Sequence, residues 1–202
     1  MASIYDLKPA FQKLWRPLVG RLASWGVRPN QVTLLAFSLS LGLGLALALA
    51  PQVQVLWLLV PAWMFFRMAL NAIDGMLARE HQMQTPLGGL LNELTDPLAD
   101  AALFLPFALL TPLWSPVIVG IAVLSFATEL AGTAALGVGA SRRFEGPMGK
   151  SDRAAVFGIL ALLHGLTVPL GLWTNVLLCV VLALSVLTVL NRCRAALKEV
   201  QP

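Results

Sequence analysis

The residues able to do chemistry are concentrated in one stretch, NAIDGMLAREHQMQTPLGGLLNELTDPLAD, which runs from Asn71 to Asp100. On a helix Asn71, Asp74 and Ala78 share one face, and in the next apolar segment the i, i+4, i+8 spacing puts Asn92, Asp96 and Asp100 on one face as well. A hard divalent cation takes oxygen ligands from carboxylates, amide carbonyls and water that converge from different elements. Two such faces therefore form a candidate cation site. Gly75, beside Asp74, leaves room for a phosphate or a nucleotide to approach the backbone. Arg79 offers a phosphate partner, with plain anchoring at a membrane surface as the competing role. Acids and an arginine at the ends of very apolar segments are costly unless a cation, a phosphate or each other compensates them, so their density here marks a functional site. That chemistry suits a membrane enzyme acting on a charged lipid headgroup.

The elements that must position these residues are legible in the composition. The chain has 202 residues, 58% hydrophobic and 12% charged, a balance that belongs to an integral membrane protein. Stretches 31–66, 101–128 and 154–191 contain no charged residue, and each is broken near its middle by Pro, Gly or polar residues. A membrane span needs roughly 20 apolar residues to cross about 30 Å of hydrocarbon. Six helical spans are expected, at 32–50, 53–73, 87–110, 116–138, 154–170 and 174–190. The fold class is therefore an all-α integral membrane protein, with residues 29–202 as the six-helix membrane domain. Residues 1–28 form a juxtamembrane segment. In it Leu7, Phe11, Leu14, Leu18 and Leu22 recur at helical spacing, with Lys13 and Arg16 opposite and Lys8 and Arg21 flanking. This predicts an amphipathic surface helix, kinked at Pro17 and ended by Gly26 and Pro29, with Asn30 or Thr33 capping the first span. Acidic Asp6 and the mixed polarity that follows are unlike a cleavable signal.

Cations precede the first span, occur between the second and third and between the fourth and fifth, and follow the sixth, while the opposite loops carry no charge. The positive-inside rule then puts both termini, the 74–96 region and the 139–153 loop in the cytoplasm, with the inner membrane as the location. The net charge of +4 is dispersed and lacks an aromatic stacking platform, which argues for anchoring and against nucleic acid. Cys179 and Cys193 have no metal-ligand spacing and read as ordinary apolar filling. Gly88 and Gly89 allow the third span to pack closely on a neighbour. Arg67 and Glu129 read as a buried ion pair, with Arg67–Asp100 as the alternative. His164, mid-span, reads as a helix-to-helix hydrogen-bonding residue.

Asp74-Gly75-x2-Ala78-Arg79-x8-Gly88 resembles the CDP-alcohol phosphotransferases of phospholipid synthesis, whose motif is D-x2-D-G-x2-A-R-x8-G-x3-D-x3-D. The resemblance extends from Pro29-Asn30-x2-Thr33 through the six spans to Arg192. Two positions depart from it, because Asn71 stands for the first Asp and Asn92 for the third, leaving Asp96 as the fourth. A variant bacterial subgroup shares this pattern. A second register, with Asp96-Pro-Leu-Ala-Asp100 as the third and fourth acids, needs a four-residue insertion.

The resemblance implies transfer of a phosphatidyl group from CDP-diacylglycerol to an alcohol, with release of CMP. It implies Mg²⁺ or Mn²⁺ held by Asn71, Asp74, Asn92 and Asp96, with Asp100 or Glu93 as a further ligand, and it makes Asp96 the general base. Four carboxylates balance two divalent ions, whereas Asp74 and Asp96 alone suit one ion, or two only if Asp100 or Glu93 also contributes. The cytidine diphosphate is expected near Asp74, Gly75, Ala78 and Arg79. Lys150 and Arg153, joined by Arg142 and Arg143 in SRRFEGPMGKSDR, are the candidates for an acceptor phosphate. A phosphorylated polyol such as glycerol 3-phosphate or inositol phosphate is thereby favoured, a solvated positive loop being the competing account. Family members commonly form homodimers. The rival classes are a non-catalytic or transport protein on this fold, and an enzyme using a neutral acceptor or a soluble CDP-alcohol donor.

Overall fold

A computed structural model describes residues 8–201, and side chains from residue 11 onward. The described residues form seven α-helices and no strand: α1 Lys8–Ser24, α2 Pro29–Leu49, α3 Gln54–Glu80, α4 Pro86–Phe104, α5 Ser115–Gly137, α6 Lys150–Gly165 and α7 Leu172–Val200. Four of them, α2, α3, α5 and α7, are long and apolar enough to cross a membrane. The stretch expected as one span at 87–110 is instead α4 followed by a 3-10 turn over Leu105–Leu109, where Pro106 withholds a backbone N–H from the helix. Helices α3 and α7 continue to Glu80 and Val200, past the expected ends at 73 and 190. The apolar stretch marks hydrocarbon depth, but a helix with charged residues can continue into the interface.

The chain divides into two compact units. Unit 1 takes the chain up to Leu39 together with Trp63–Asp96, and unit 2 takes Ser40–Ala62 together with the chain from Pro97 on. In unit 1, α1 forms over the expected residues with Pro17 inside it, while Leu7 of the expected stripe lies outside the described residues. Val19 packs with Val32 of α2 and with Ile73, Met76 and Leu77 of α3, and Trp15, Leu18 and Leu22 close over them. The buried face is rotated from the expected stripe, since Leu14 is exposed. The Arg16 guanidinium grips both carboxylate oxygens of Glu80 at 2.9 and 3.1 Å, and that bond holds the Arg16 pKa above its usual value. At the start of α2 the Gln31 side chain accepts the Arg28 backbone N–H at 2.8 Å, so the cap expected from Asn30 or Thr33 is made by Gln31. Thr33 has another partner, described below.

In unit 2 the core is aromatic. Phe104 stacks on Phe157 with ring centroids 4.1 Å apart, Phe107 meets Phe157 and Trp57 edge-on, and Trp57 meets the His164 ring at 5.1 Å. His164 also donates a hydrogen bond to the Pro51 carbonyl, which links it to the turn before α3 as a structural residue. Many leucines and valines on the long helices are exposed, as a lipid-facing surface requires.

Candidate active site

Unit 1 brings the expected acids together through hydrogen bonds. Asn71, on α3, donates its amide Nδ2–H to Oδ1 of Asp96, on α4, across 3.0 Å. Asp74, one helical turn further along α3, is buried, and its Oδ2 accepts the Thr33 hydroxyl of α2 at 2.7 Å. Thr33 Oγ1 is also 3.1 Å from the Pro29 carbonyl, but its single proton favours the carboxylate as the stronger acceptor. Three helices thus orient two carboxylates.

Arg67, one turn before Asn71, is buried, with its NH2 donating to the Asp96 carbonyl at 3.1 Å and lying 3.7 Å from Asp96 Oδ1. Glu129, the expected partner of Arg67, is engaged elsewhere. Pro97 follows Asp96 inside α4 and cannot donate to the Glu93 carbonyl, which loosens the helix backbone beside the acid.

The glycines have steric roles here. A Cβ on Gly88 would lie 2.7 Å from Asn30 Oδ1, so a side chain here would push the Asn30 amide from its place. The Gly88 N–H donates to Thr85 Oγ1 at 3.0 Å. At Gly75 a Cβ would lie 3.0 Å from an Arg79 guanidinium nitrogen, so the exposed Arg79 side chain folds back over the bare backbone beside Asp74. Ala78 and Asn92 are half-buried on their helices.

The basic loop belongs to unit 2, and there the structure separates residues that the sequence groups together. Arg153 is fully buried, with NH1 donating to Thr128 Oγ1 and to the Met148 carbonyl, both at 3.0 Å, and NH2 lying 3.7 Å from Glu129. Buried Asp100 and half-buried Glu129 both act on its charge. Arg192 donates to the Thr128 carbonyl, and its NH1 is 3.5 Å from Glu129. Glu129 therefore serves Arg153 and Arg192, in place of the Arg67 expected. Arg143 is also committed, with NH1 2.7 Å from Glu199, Nε 3.3 Å from Glu145 and NH2 donating to the Ala195 carbonyl. Arg142 lies over the Phe144 ring at 5.1 Å. Gly146, at φ 138, lets the loop pass against Thr188, whose hydroxyl accepts the Met148 N–H at 2.9 Å. Lys150 is half-buried at the first position of α6, after Gly149, whose N–H is taken by Asp152.

The sequence offers Thr33 as a cap and as part of the opening Pro29-Asn30-x2-Thr33 pattern, and Glu129 as the partner of Arg67, without showing the contacts that each makes. An i+4 pattern reports residues on one helix, whereas Thr33–Asp74 and Glu129–Arg192 join helices distant in sequence.

A divalent cation fits this chemistry within limits. The donors are hard oxygens: the Asp74 and Asp96 carboxylates, the Asn71 carbonyl that remains when its nitrogen donates, and Asn92. No group of three His, Cys, Asp or Glu side chains converges among the described residues. The set suits a cation whose remaining ligands come from water or a substrate phosphate.

The family model described as CDP-alcohol phosphatidyltransferase matches residues 26–189. The chain is 42% identical over 195 residues to the inner membrane protein YnbA of Escherichia coli strain K12, covering 96% of each. Its fold is similar to that of the phosphatidylinositol phosphate synthase of Mycobacterium tuberculosis in two crystal structures. The one with CDP-DAG bound superposes with a TM-score of 0.72 at 21% identity, covering 91% of this chain and 93% of that one. The one in complex with manganese and citrate gives 0.70 at 21% identity, covering 89% and 87%.

Proposed function

This chain belongs to the CDP-alcohol phosphatidyltransferase family, and we propose that it moves a phosphatidyl group from CDP-diacylglycerol to the hydroxyl of a phosphorylated polyol in the inner membrane, releasing CMP. The observation that carries this reading is the Thr33–Asp74 and Asn71–Asp96 pair of hydrogen bonds, which ties one carboxylate of α3 to α2 and one of α4 to the neighbouring turn of α3. The Escherichia coli relative's inner-membrane description and the CDP-DAG bound to the mycobacterial enzyme support the location and the donor.

In this reading the cytidine diphosphate lies against Gly75 and Ala78, where a bare backbone admits it, and Arg79 turns from Gly75 onto a phosphate. Asp74, with Asn71, Asn92 and Asp96, would hold Mg²⁺ or Mn²⁺, which would supply positive charge to the diphosphate and to the CMP leaving group. Thr33 keeps Asp74 turned toward the site. Asp96 takes the proton of the acceptor hydroxyl, whose oxygen bonds to the phosphatidyl phosphorus. The bond from that phosphorus to the bridging oxygen breaks, and its electron pair leaves with CMP. Arg67 and the Asn71 amide hold Asp96 in place.

For the acceptor, Lys150 is the preferred phosphate partner, because it is half-buried at the N-terminus of α6 and Arg153 is fully buried against Glu129. Arg142 is the second candidate. Six membrane crossings, cytoplasmic termini, α1 lying on the cytoplasmic surface and a homodimer complete the proposal. Purified protein supplied with labelled CDP-diacylglycerol, Mg²⁺ or Mn²⁺ and a panel of alcohols should release CMP with phosphorylated polyols. Release with a neutral alcohol alone would overturn the acceptor, and no release with any alcohol would overturn the reaction.

A further inference from the structure

We infer that this site takes one divalent cation, and that the Arg67 guanidinium and the Asn71 amide give Asp96 the positive partner that a second cation would give it. The inference rests on the reading of this cluster as a metal-assisted transfer site.

Two ions working as a pair lie about 3.5–4 Å apart and share ligands, which requires carboxylates that can bridge them. This cluster in unit 1 has two carboxylates, Asp74 and Asp96, with no third Asp or Glu converging on them among the described residues, and the positions in register with them are the amides Asn71 and Asn92. An amide can lend its carbonyl to a cation but brings no charge. The structure also shows how one carboxylate is already engaged. Oδ1 of Asp96 accepts the Asn71 N–H at 3.0 Å, and the same oxygen has the Arg67 guanidinium at 3.7 Å. A cation bridging through that oxygen would meet two N–H donors and a fixed positive charge. Arg67 is buried, so its charge is poorly screened and acts on Asp96 more strongly than a surface arginine would.

Arg67 is held in this place by the Asp96 carbonyl as well as by its carboxylate, so its position does not depend on a metal being absent. The charge count agrees. Two carboxylates and one guanidinium sum to −1, one dication brings the cluster to +1, and a second would bring it to +3 before any substrate enters. A +3 cluster beside an apolar bilayer is costly, and a single diphosphate would not neutralise it.

The test is Mn²⁺ binding to the full-length protein purified in detergent with CDP present. Bound metal is measured by equilibrium dialysis, and the spin coupling of the bound ions by electron paramagnetic resonance. The expected result is one Mn²⁺ per chain with an uncoupled six-line spectrum. Two ions per chain with an exchange-coupled spectrum, or no bound ion, would overturn the inference. CMP release from CDP-diacylglycerol, measured on the same preparation, separates this outcome from failure of the functional reading. Two coupled ions with active release sink only the inference, whereas absent release sinks the reading. Arg67→Gln/Asn71→Asp should gain a second, coupled ion. If that variant keeps wild-type helicity and still binds one, the two side chains do not take the second ion's place. If it does not fold, the wild-type count decides.

Discussion

Thr33, on α2, and Asp74, on α3, are 41 positions apart in the chain, yet the hydroxyl lies 2.7 Å from the buried carboxylate. Hydrogen bonds to charged groups contribute roughly 1.5–3 kcal/mol. Thr33→Val should therefore lower CMP release about 10-fold or more, while Thr33→Ser, which keeps the hydroxyl, should stay near wild type. Equal loss in both variants would show that the threonine acts by packing.

The two acids of the preferred register should be indispensable. Asp74→Asn and Asp96→Asn are each expected to reduce CMP release by ~10²-fold or more, with the base accounting for that range, while the proteins stay helical in detergent. Asp100→Asn decides the register. A mild effect there, beside loss at Asp96, supports Asp96 as the base. The reverse pattern would make Asp100 the base.

Lys150 and Arg153, neighbours in the sequence motif, should separate in experiment. Lys150→Gln is expected to raise the acceptor KM and leave the donor KM nearly unchanged. Arg153→Gln should act on stability, because it removes one of two cations beside Glu129 together with the buried hydrogen bonds to Thr128 and the Met148 carbonyl. The measurements are separate donor and acceptor titrations and thermal unfolding in detergent. An Arg153→Gln protein of unchanged stability and raised acceptor KM would return Arg153 to the acceptor site.

Glu129 makes the complementary prediction. Replacing it with Gln removes the carboxylate shared by Arg153 and Arg192, both buried, next to the loop whose chain they hold through the Met148 and Glu145 carbonyls. The expected outcome is a lowered unfolding temperature and faster proteolysis within residues 141–149. Unchanged cleavage there would remove Glu129 from the support of that loop.

Topology is tested by single-cysteine labelling in intact cells, in a background with Cys179 and Cys193 replaced. A cysteine at Ser115 should react with an impermeant reagent, and one at Ser141 should be protected. Strong external labelling at Ser141 would reverse the orientation.

The class of the molecule and the residue types of its candidate site were legible in the sequence, but the ends of α3, α4 and α7 were not. Long uncharged runs admit no other fold class, and the spacing of Asn71, Asp74, Asp96 and Asp100 follows directly from helical periodicity. Composition also located the cations, whose distribution sets the orientation expected. Partner choice was decided only by tertiary structure. Nothing in the local sequence distinguishes Lys150 from Arg153, yet one begins α6 half-buried and the other is enclosed by Thr128, Met148 and Glu129. Likewise Arg67 could have been matched to Glu129 on charge alone, but Glu129 meets Arg153 and Arg192, and Arg67 reaches Asp96. The physical reason is that a helix period reports which side chains share a face. Which helix that face meets, and at what depth, depends on packing between segments far apart in the chain, and a buried charge takes the partner that packing brings within reach.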